Sequence, residues 1–273
     1  MKKYLFFLAA IALFASSCTE RIDLDLNNQE FQRVVVDGWF TNQAKAHEVK
    51  ITLTSDYFVN EAAPAARGAT VSITDGVNTF QLTEEEPGIY RTEPTVAGEI
   101  GKTYTLNVEY EGESYTASHL LDTVSAIDSV DSKIAVDEFT GEIEEDYRAL
   151  FLFTQELPGL GNHYMWRIWK NGELQTDTLR EVQFVQDDLV DGNYIYNWEF
   201  EWLEADQGDV VYVEQHAISE EIFDGFLAVM LETDWRGGIF DSPPANVSTN
   251  MSGGALGFFV ASGVSTYEFE IPE

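Results

Sequence analysis

"TYTLNVEYEGESYTASHLL" (residues 103–121) alternates apolar and polar side chains on both sides of Glu111-Gly112. Alternation at period 2 sends successive side chains to opposite faces of a strand. A two-residue turn between two such runs is the mark of a β-hairpin. The same alternation continues upstream in "QRVVVDGWFT" (32–41), "HEVKITLTS" (47–55), "ATVSITDGVNTFQLT" (69–83) and "GIYRT" (88–92), all rich in Val, Ile, Thr and Tyr. Asp75-Gly76 marks a second two-residue hairpin and is the stronger turn signal of the two, and "NEAAPAARG" (60–68) reads as a loop. About seven short strands and no amphipathic helix predict an immunoglobulin-like β-sandwich over 31–122, without the disulfide of antibody domains.

Around "DTVSAIDSVD" (122–131) the character shifts, and a second β-rich domain is expected over 123–273. Its strands are "YRALFLFTQ" (147–155), "HYMWRIWKNGELQTDTL" (163–179) with an Asn171-Gly172 turn, "NYIYNWEFEWLE" (193–204), "DVVYVEQHA" (209–217), "GALGFFVAS" and "STYEFEI". One helix is expected at about 220–233. Ser219 is its N-cap, Glu220 and Glu221 suit the positive end of the dipole, and Ile222, Phe223, Phe226, Leu227 and Met230 form one apolar stripe for the second sheet. The fold class is therefore mainly β: two β-sandwich domains, the second carrying one packed α-helix.

The first residues set the compartment. Lys2 and Lys3 precede an apolar run of 11 residues, "YLFFLAAIALF", too short for a membrane-spanning helix of about 20 residues. With Ala15, Ser16 and Ser17 it reads as a secretory signal over 1–17. Cys18, the single cysteine, follows directly, as in a bacterial lipoprotein signal, although Ala15 stands where the commonest motif has Leu. No partner exists for an internal disulfide, and acylation turns an exposed thiol into a thioether anchor in outer-membrane lipid. The acidic tether, 18–30, carries Glu20, Asp23 and Asp25. Cleavage after Ser17 removes two lysines and takes the formal charge from −33 to −35, a surface that repels nucleic acid and anionic headgroups. At 44% hydrophobic residues the chain is too apolar for disorder.

Taken together, "VVVDGWFTNQ", "HEVKITLTSDYF", "GATVSITDG", "GIYRT", "GKTYTLNVEYEGESYTA" and the late "FDSPPANVSTNMSGGALGFFVAS" resemble the DUF4249 family, over about residues 18–273. The resemblance implies a lipoprotein of Bacteroidota, often encoded beside TonB-dependent outer-membrane receptors, with no agreed activity and no catalytic residues to carry over. In that setting the acids after Cys18 resemble a surface-export signal. Asp122-Thr123-Val124, Asp128-Ser129-Val130 and Asp177-Thr178-Leu179 resemble O-glycosylation sites of the phylum.

The residues add no catalytic constellation and imply no cofactor. His47-Glu48 lacks the second histidine of a zinc helix, and His119, His163 and His216 are scattered through strand-like runs. No GxSxG elbow or P-loop is present, "GLGNHY" (159–164) is an incomplete dinucleotide fingerprint, and "DDLVDG" (187–192) misses the EF-hand spacing. No metal site is expected. Two features could contact a ligand or partner. Tyr194, Tyr196, Trp198, Phe200 and Trp202 alternate, so they form either an exposed aromatic face or the inner face of the second sandwich with Glu199 and Glu201 outside. The loop 241–254, with Pro243, Pro244 and Asn246, is long enough for a binding element or a structured lid.

The expected function is non-enzymatic: a surface-exposed outer-membrane lipoprotein that docks on a TonB-dependent receptor or another outer-membrane complex. The alternative is an independent glycan- or peptide-binding surface lipoprotein. Replacing Cys18 with alanine is expected to release the protein from the membrane fraction or leave it unprocessed. Intact-mass spectrometry reads the anchor directly, and an unmodified Cys18 on a soluble mature chain overturns it.

Overall fold

The alternating runs form strands wherever one face can be buried. In the computed structural model, which describes residues 32–55, 62–137, 139–233 and 247–272, Tyr104, Leu106 and Val108 are buried while Thr105 and Asn107 between them are half-exposed. Cys18, Glu20, Asp23, Asp25, Pro243, Pro244 and Asn246 lie outside the described residues. The first strands are β1 (Val34–Thr41), β2 (Glu48–Leu53), β3 (Thr70–Thr74), β4 (Thr79–Glu86), β5 (Ile89–Arg91), β6 (Thr103–Tyr110) and β7 (Glu113–Leu120). They join β15 (Leu256–Ser262) in one sheet of order β15-β1-β2-β5-β4-β3-β6-β7. Its two ends meet: β15 packs on β7, where His119 Nδ1 lies 2.8 Å from the Ala261 carbonyl oxygen and 3.2 Å from the Ala261 nitrogen. The sheet so folded encloses Phe40, Ile51, Ile73, Tyr90, Leu106 and Phe259.

The turns reverse the expected ranking. Glu111-Gly112 joins β6 to β7 in two residues, with φ of 51° and 86°, the left-handed pair that a type I′ turn requires. Asn171-Gly172 does the same with 51° and 85°. Asp75-Gly76 instead belongs to a four-residue loop, because Thr74 pairs with Thr79. The Asp75 carboxylate accepts from the Val77 nitrogen at 2.9 Å and the Asn78 nitrogen at 2.6 Å, which rounds the chain into a wider turn.

β15 is the main departure from a chain divided near residue 122. It runs parallel to β1, pairing Val36 with Gly257 and Phe40 with Ala261, although more than two hundred residues separate them. Gly257 sits at φ +86°, and a Cβ there would stand 1.9 Å from the Val36 carbonyl oxygen. Before it, the Asn250 side chain accepts from the Phe259 nitrogen at 3.0 Å and donates to the Phe259 carbonyl at 2.7 Å, and Met251 is buried in the first core. The described half of the 241–254 loop is thus a strap across the sheet. By contacts Arg33–Thr54 and Ala62–Glu273 form a single compact unit.

The second sandwich sets a sheet of β8 (Ile127–Val136), β9 (Ile143–Gln155) and β13 (Tyr194–Glu204), ordered β13-β9-β8, against a second sheet. That sheet holds β10 (His163–Lys170), β11 (Glu173–Leu174), β12 (Phe184–Gln186), β14 (Val210–Ile218) and β16 (Val264–Glu270), ordered β11-β10-β14-β16 with β12 also on β10. Leu150, Leu152, Trp166, Phe200 and Val213 fill the space between them. Helix α1 (Glu220–Thr233) begins where Ser219 caps it, its hydroxyl 3.4 Å from the Ile222 nitrogen. Its stripe does not face the second sheet alone. Ile222 and Phe226 pack with Met165 of β10 and with Val260, Phe258 and Trp39 of the first sheet. A side chain at Gly225 would strike the Phe258 ring.

Gly257→Ala is expected to lower stability by at least about 2 kcal/mol, from the left-handed backbone and the contact with Val36 together. Gly101→Ala, at φ +85° with open space around it, carries only the backbone part and serves as the control in thermal unfolding. Equal losses in the two variants would show that the β1–β15 approach is not tight.

Candidate functional site

The second sandwich is not filled to its edge. Between β9 and β13 on one side and β10 and β14 on the other, a cleft of about 800 Å³ opens under the loop that follows β12. Its floor is the buried Trp166, whose Nε1 donates to Gln215 Oε1 at 3.0 Å. Gln215 Nε2 in turn donates to Ser125 Oγ at 2.8 Å and the Ser125 carbonyl at 3.0 Å. Thr154 Oγ1 donates to the Ala126 carbonyl at 2.7 Å, and the Tyr164 hydroxyl to Glu156 at 2.8 Å. Burial, then the Glu156 carboxylate, holds the Tyr164 phenol well above its usual range, so it stays a donor. Trp198 stands edge-on to Trp166, with centroids 5.1 Å apart and planes at 79°. Tyr194 and Tyr196 complete the wall, 4.4 Å apart and inclined at 53°.

The aromatic run of β13 is therefore neither of the two expected faces. Bulges between Ile195 and Trp198 and between Glu199 and Glu201 break its alternation, with Asn197 at φ 54°. Phe200 is fully buried, Trp198 lines the cleft and Tyr196 is 75% exposed at it. Trp202 is displaced from the cleft, its indole donating to the Glu199 carboxylate while Leu203 takes the core position. Trp198 and Trp202 thus do not form one surface. The sequence reading missed Trp166, Gln215 and Ser125. The signal was the polar run Glu214-Gln215-His216 inside an otherwise apolar strand, and all three are buried.

The loop over the cleft is held by acids. Glu156, Asp187 and Asp191 bring carboxylate oxygens within 4.8 Å of one another, a hard-oxygen set of the kind divalent cations use. Backbone donors already serve these oxygens. Gly161 and Asn162 donate to Asp187 at 3.0 and 3.1 Å, Gly159 donates to Asp191 at 2.6 Å, and Gly192 donates to Glu156. Burial alone would raise the Asp187 carboxyl, but these hydrogen bonds hold it below its usual value. "GLGNHY" and "DDLVDG" are the two halves of this lock, and no helix follows the first.

A second constellation lies where the sandwiches meet. His216 Nδ1 is 3.3 Å from Ser262 Oγ and His216 Nε2 is 3.2 Å from Glu214 Oε2, the order of a nucleophile, base and acid. Ser262 is 0% exposed and donates its proton to the Gly263 carbonyl at 3.0 Å, and no member lines the cleft. Glu214 also takes hydrogen bonds from Gln43 and Tyr212 and lies 3.6 Å from Lys45, so the group binds β14 to the β1–β2 connection. The histidines remain apart in role. His47 Nε2 donates to the Val96 carbonyl at 3.1 Å, and His119 Nε2 lies 2.9 Å from the capping Ser219.

The fold and the cleft define a two-sandwich β-protein with an aromatic, loop-covered site in its second sandwich. Residues 19–268 match the family described as "Domain of unknown function (DUF4249)", and the chain belongs to that family. No curated protein matches the sequence. Among solved structures it is similar to the FN1-FN3 domains of chicken CNTN1, at 12% identity and TM-score 0.23, over 87% of this chain and 63% of that one. It therefore spans less than two thirds of that structure's length. It is also similar to a two-domain fibronectin type III segment from chicken tenascin, at 11% identity and TM-score 0.20, over 68% of this chain and 91% of that one.

Burial drives three of the four histidines toward the neutral form: His47 falls to about 4, helped by the Lys45 charge, and His119 and His216 fall below their ordinary value of 6.5. A folded-state pKa below the unfolded one stabilises the fold fully above pH 6.5, and that contribution is lost as pH falls toward 4. For His47 it amounts to about 3 kcal/mol. Acid also relieves repulsion among 48 acidic residues, so the effect is read as a difference between wild type and His47→Gln. Urea midpoints of the two are expected to converge between pH 6.5 and 4; a constant gap overturns the assignment.

Proposed function

We propose that this chain is a lipid-anchored, non-enzymatic protein of the outer membrane, displayed at the cell surface, that docks on a TonB-dependent receptor or another outer-membrane complex. The observation that carries the reading is the tip of the β8–β9 hairpin. Phe139 is 99% exposed, and Ile143, Ile134 and Val136 are 64%, 50% and 46% exposed. Val136 and Ile143 are cross-strand partners, so their side chains stand together on one face. The Asp137 carboxylate accepts from the Phe139 nitrogen at 2.9 Å and the Thr140 nitrogen at 2.7 Å, which gives the turn a fixed shape. Large apolar side chains gathered on one acidic surface mark a place that a partner covers. A lipid anchor would confine the search for that partner to the membrane plane and let a small interface suffice.

The cleft supports a second reading, an independent binder of a glycan or peptide. The two readings separate in native membranes. Phe139→Ser combined with Ile143→Ser is expected to cut co-purification of an outer-membrane partner by at least about tenfold. Both residues are exposed, so folding and membrane attachment should be unchanged. Wild-type pulldowns that recover no outer-membrane partner overturn docking in favour of the independent binder.

A further inference from the structure

We propose that the cleft of the second sandwich binds a small organic cation whose charge lies under an apolar shell, a trimethylammonium or similar alkylammonium group. This rests on the cleft being a ligand site and is independent of docking at the β8–β9 hairpin.

Three properties of the cleft converge on that chemistry. The first is its wall. Trp198, Tyr194 and Tyr196 stand over the buried Trp166, with planes at 79° between the tryptophans and 53° between the tyrosines, so the wall offers ring edges as well as ring faces. The flat, coplanar platform on which a sugar ring stacks is not formed. Ring faces carry negative quadrupole potential and attract a cation without needing a hydrogen bond.

The second is the floor. Its polar groups have already found one another, as Trp166 with Gln215, Gln215 with Ser125, Thr154 with Ala126 and Tyr164 with Glu156. Among the described residues the one buried side-chain polar atom without a partner is Ser132 Oγ, which does not line the cleft. A sugar hydroxyl pushed into the floor would lose its water and gain no new partner. A methylated ammonium loses little, because it has no N–H to satisfy.

The third is charge. Among the described residues no Lys, Arg or His lines the cleft, the nearest cation to its lining being Lys133, whose Nζ reaches Asn197 Oδ1 at the rim, whereas Asp187 and the exposed Asp188 do line it. Asp128 adds to this, its carboxylate hydrogen-bonded to the Tyr194 phenol at the wall. An anionic ligand would meet repulsion at the mouth, and a cation would be drawn in. The volume of about 800 Å³ exceeds the ammonium group itself, so the cation is one end of a larger ligand.

The test is a titration of the full-length protein, in a polyoxyethylene detergent that carries neither charge nor sugar, followed by tryptophan fluorescence and calorimetry. Four probes are compared: choline, its neutral carbon isostere dimethylbutanol, glycerophosphocholine and cellobiose. Choline is expected to bind saturably and at least about tenfold more tightly than the isostere, as a desolvated cation–π site requires. Tyr196→Ala and Asp188→Asn, both at exposed positions, should each weaken choline several-fold without moving the melting temperature. Glycerophosphocholine binding as well as choline would identify a lipid headgroup as the source. Weaker binding, as the acidic mouth favours, would identify a free solute. Equal binding of choline and its isostere, or binding of cellobiose alone, overturns the cation while leaving the cleft a ligand site. No saturable binding by any of the four overturns both.

Discussion

The backbones of Val36 and Gly257 approach so closely that a single added carbon would overlap the Val36 carbonyl. That approach is the hinge on which the fold turns. It lets β15 lie parallel on β1, which brings the strand end to β7 and allows His119 to close the first sheet on itself. It also places Phe258 and Val260 under α1, so the helix is held by the first sheet and the second together. Gly263 then carries the chain across. Its nitrogen donates to the Asp122 carbonyl at 3.0 Å, beside the point where the chain first left the sandwich. Two of the three crossings between sandwiches therefore run side by side, and the buried Glu214–His216–Ser262 group sits next to them.

The cleft has a different origin. A strand that kept strict alternation would have sent all five aromatic side chains of β13 to one face. The two bulges break that alternation. They leave Phe200 in the core, displace Trp202 from the cleft and bring Trp198 and the tyrosines to its wall. The acids of the preceding loop and Glu156 then fix the cover over it through backbone donors. Shape comes from the bulges, and polarity from a floor whose hydrogen bonds are closed.

Much of this was legible from local pattern. Val71 and Ile73, or Tyr104, Leu106 and Val108, are buried on alternate positions because period-2 hydrophobicity is itself the condition for a half-buried strand. Ser219, Glu220 and the Ile222–Phe226 stripe give the helix for the same reason, since caps and faces are short-range properties. The Asp75 turn was misjudged because a carboxylate's choice of backbone donors depends on geometry two and three residues away. The bulges of β13 carry no composition signal, as an extra residue in a ladder is defined by the partner strand. The pairing of β1 with β15 was out of reach: a parallel register between residues 36 and 257 is written in neither segment alone. The cleft draws its lining from β9, β10, β13 and β14 together, which is why Trp198 could be named and Trp166 with Gln215 could not.

A chain that must wait for residue 257 to finish a sheet begun at residue 34 has a fixed order of completion. Made from its N-terminus, it delivers seven strands of the first sandwich with the β1 edge still bare and the gap beside β7 unfilled. That half-built object lacks Met251, Ala255, Phe259 and Ala261 of the first core, which only the late segment supplies. Completion arrives with the last strands. The final two of them, β15 and β16, are consecutive and lie one in each sandwich, so a single short segment locks both. The β15–β16 segment thus acts as a latch that is set after the strands it joins.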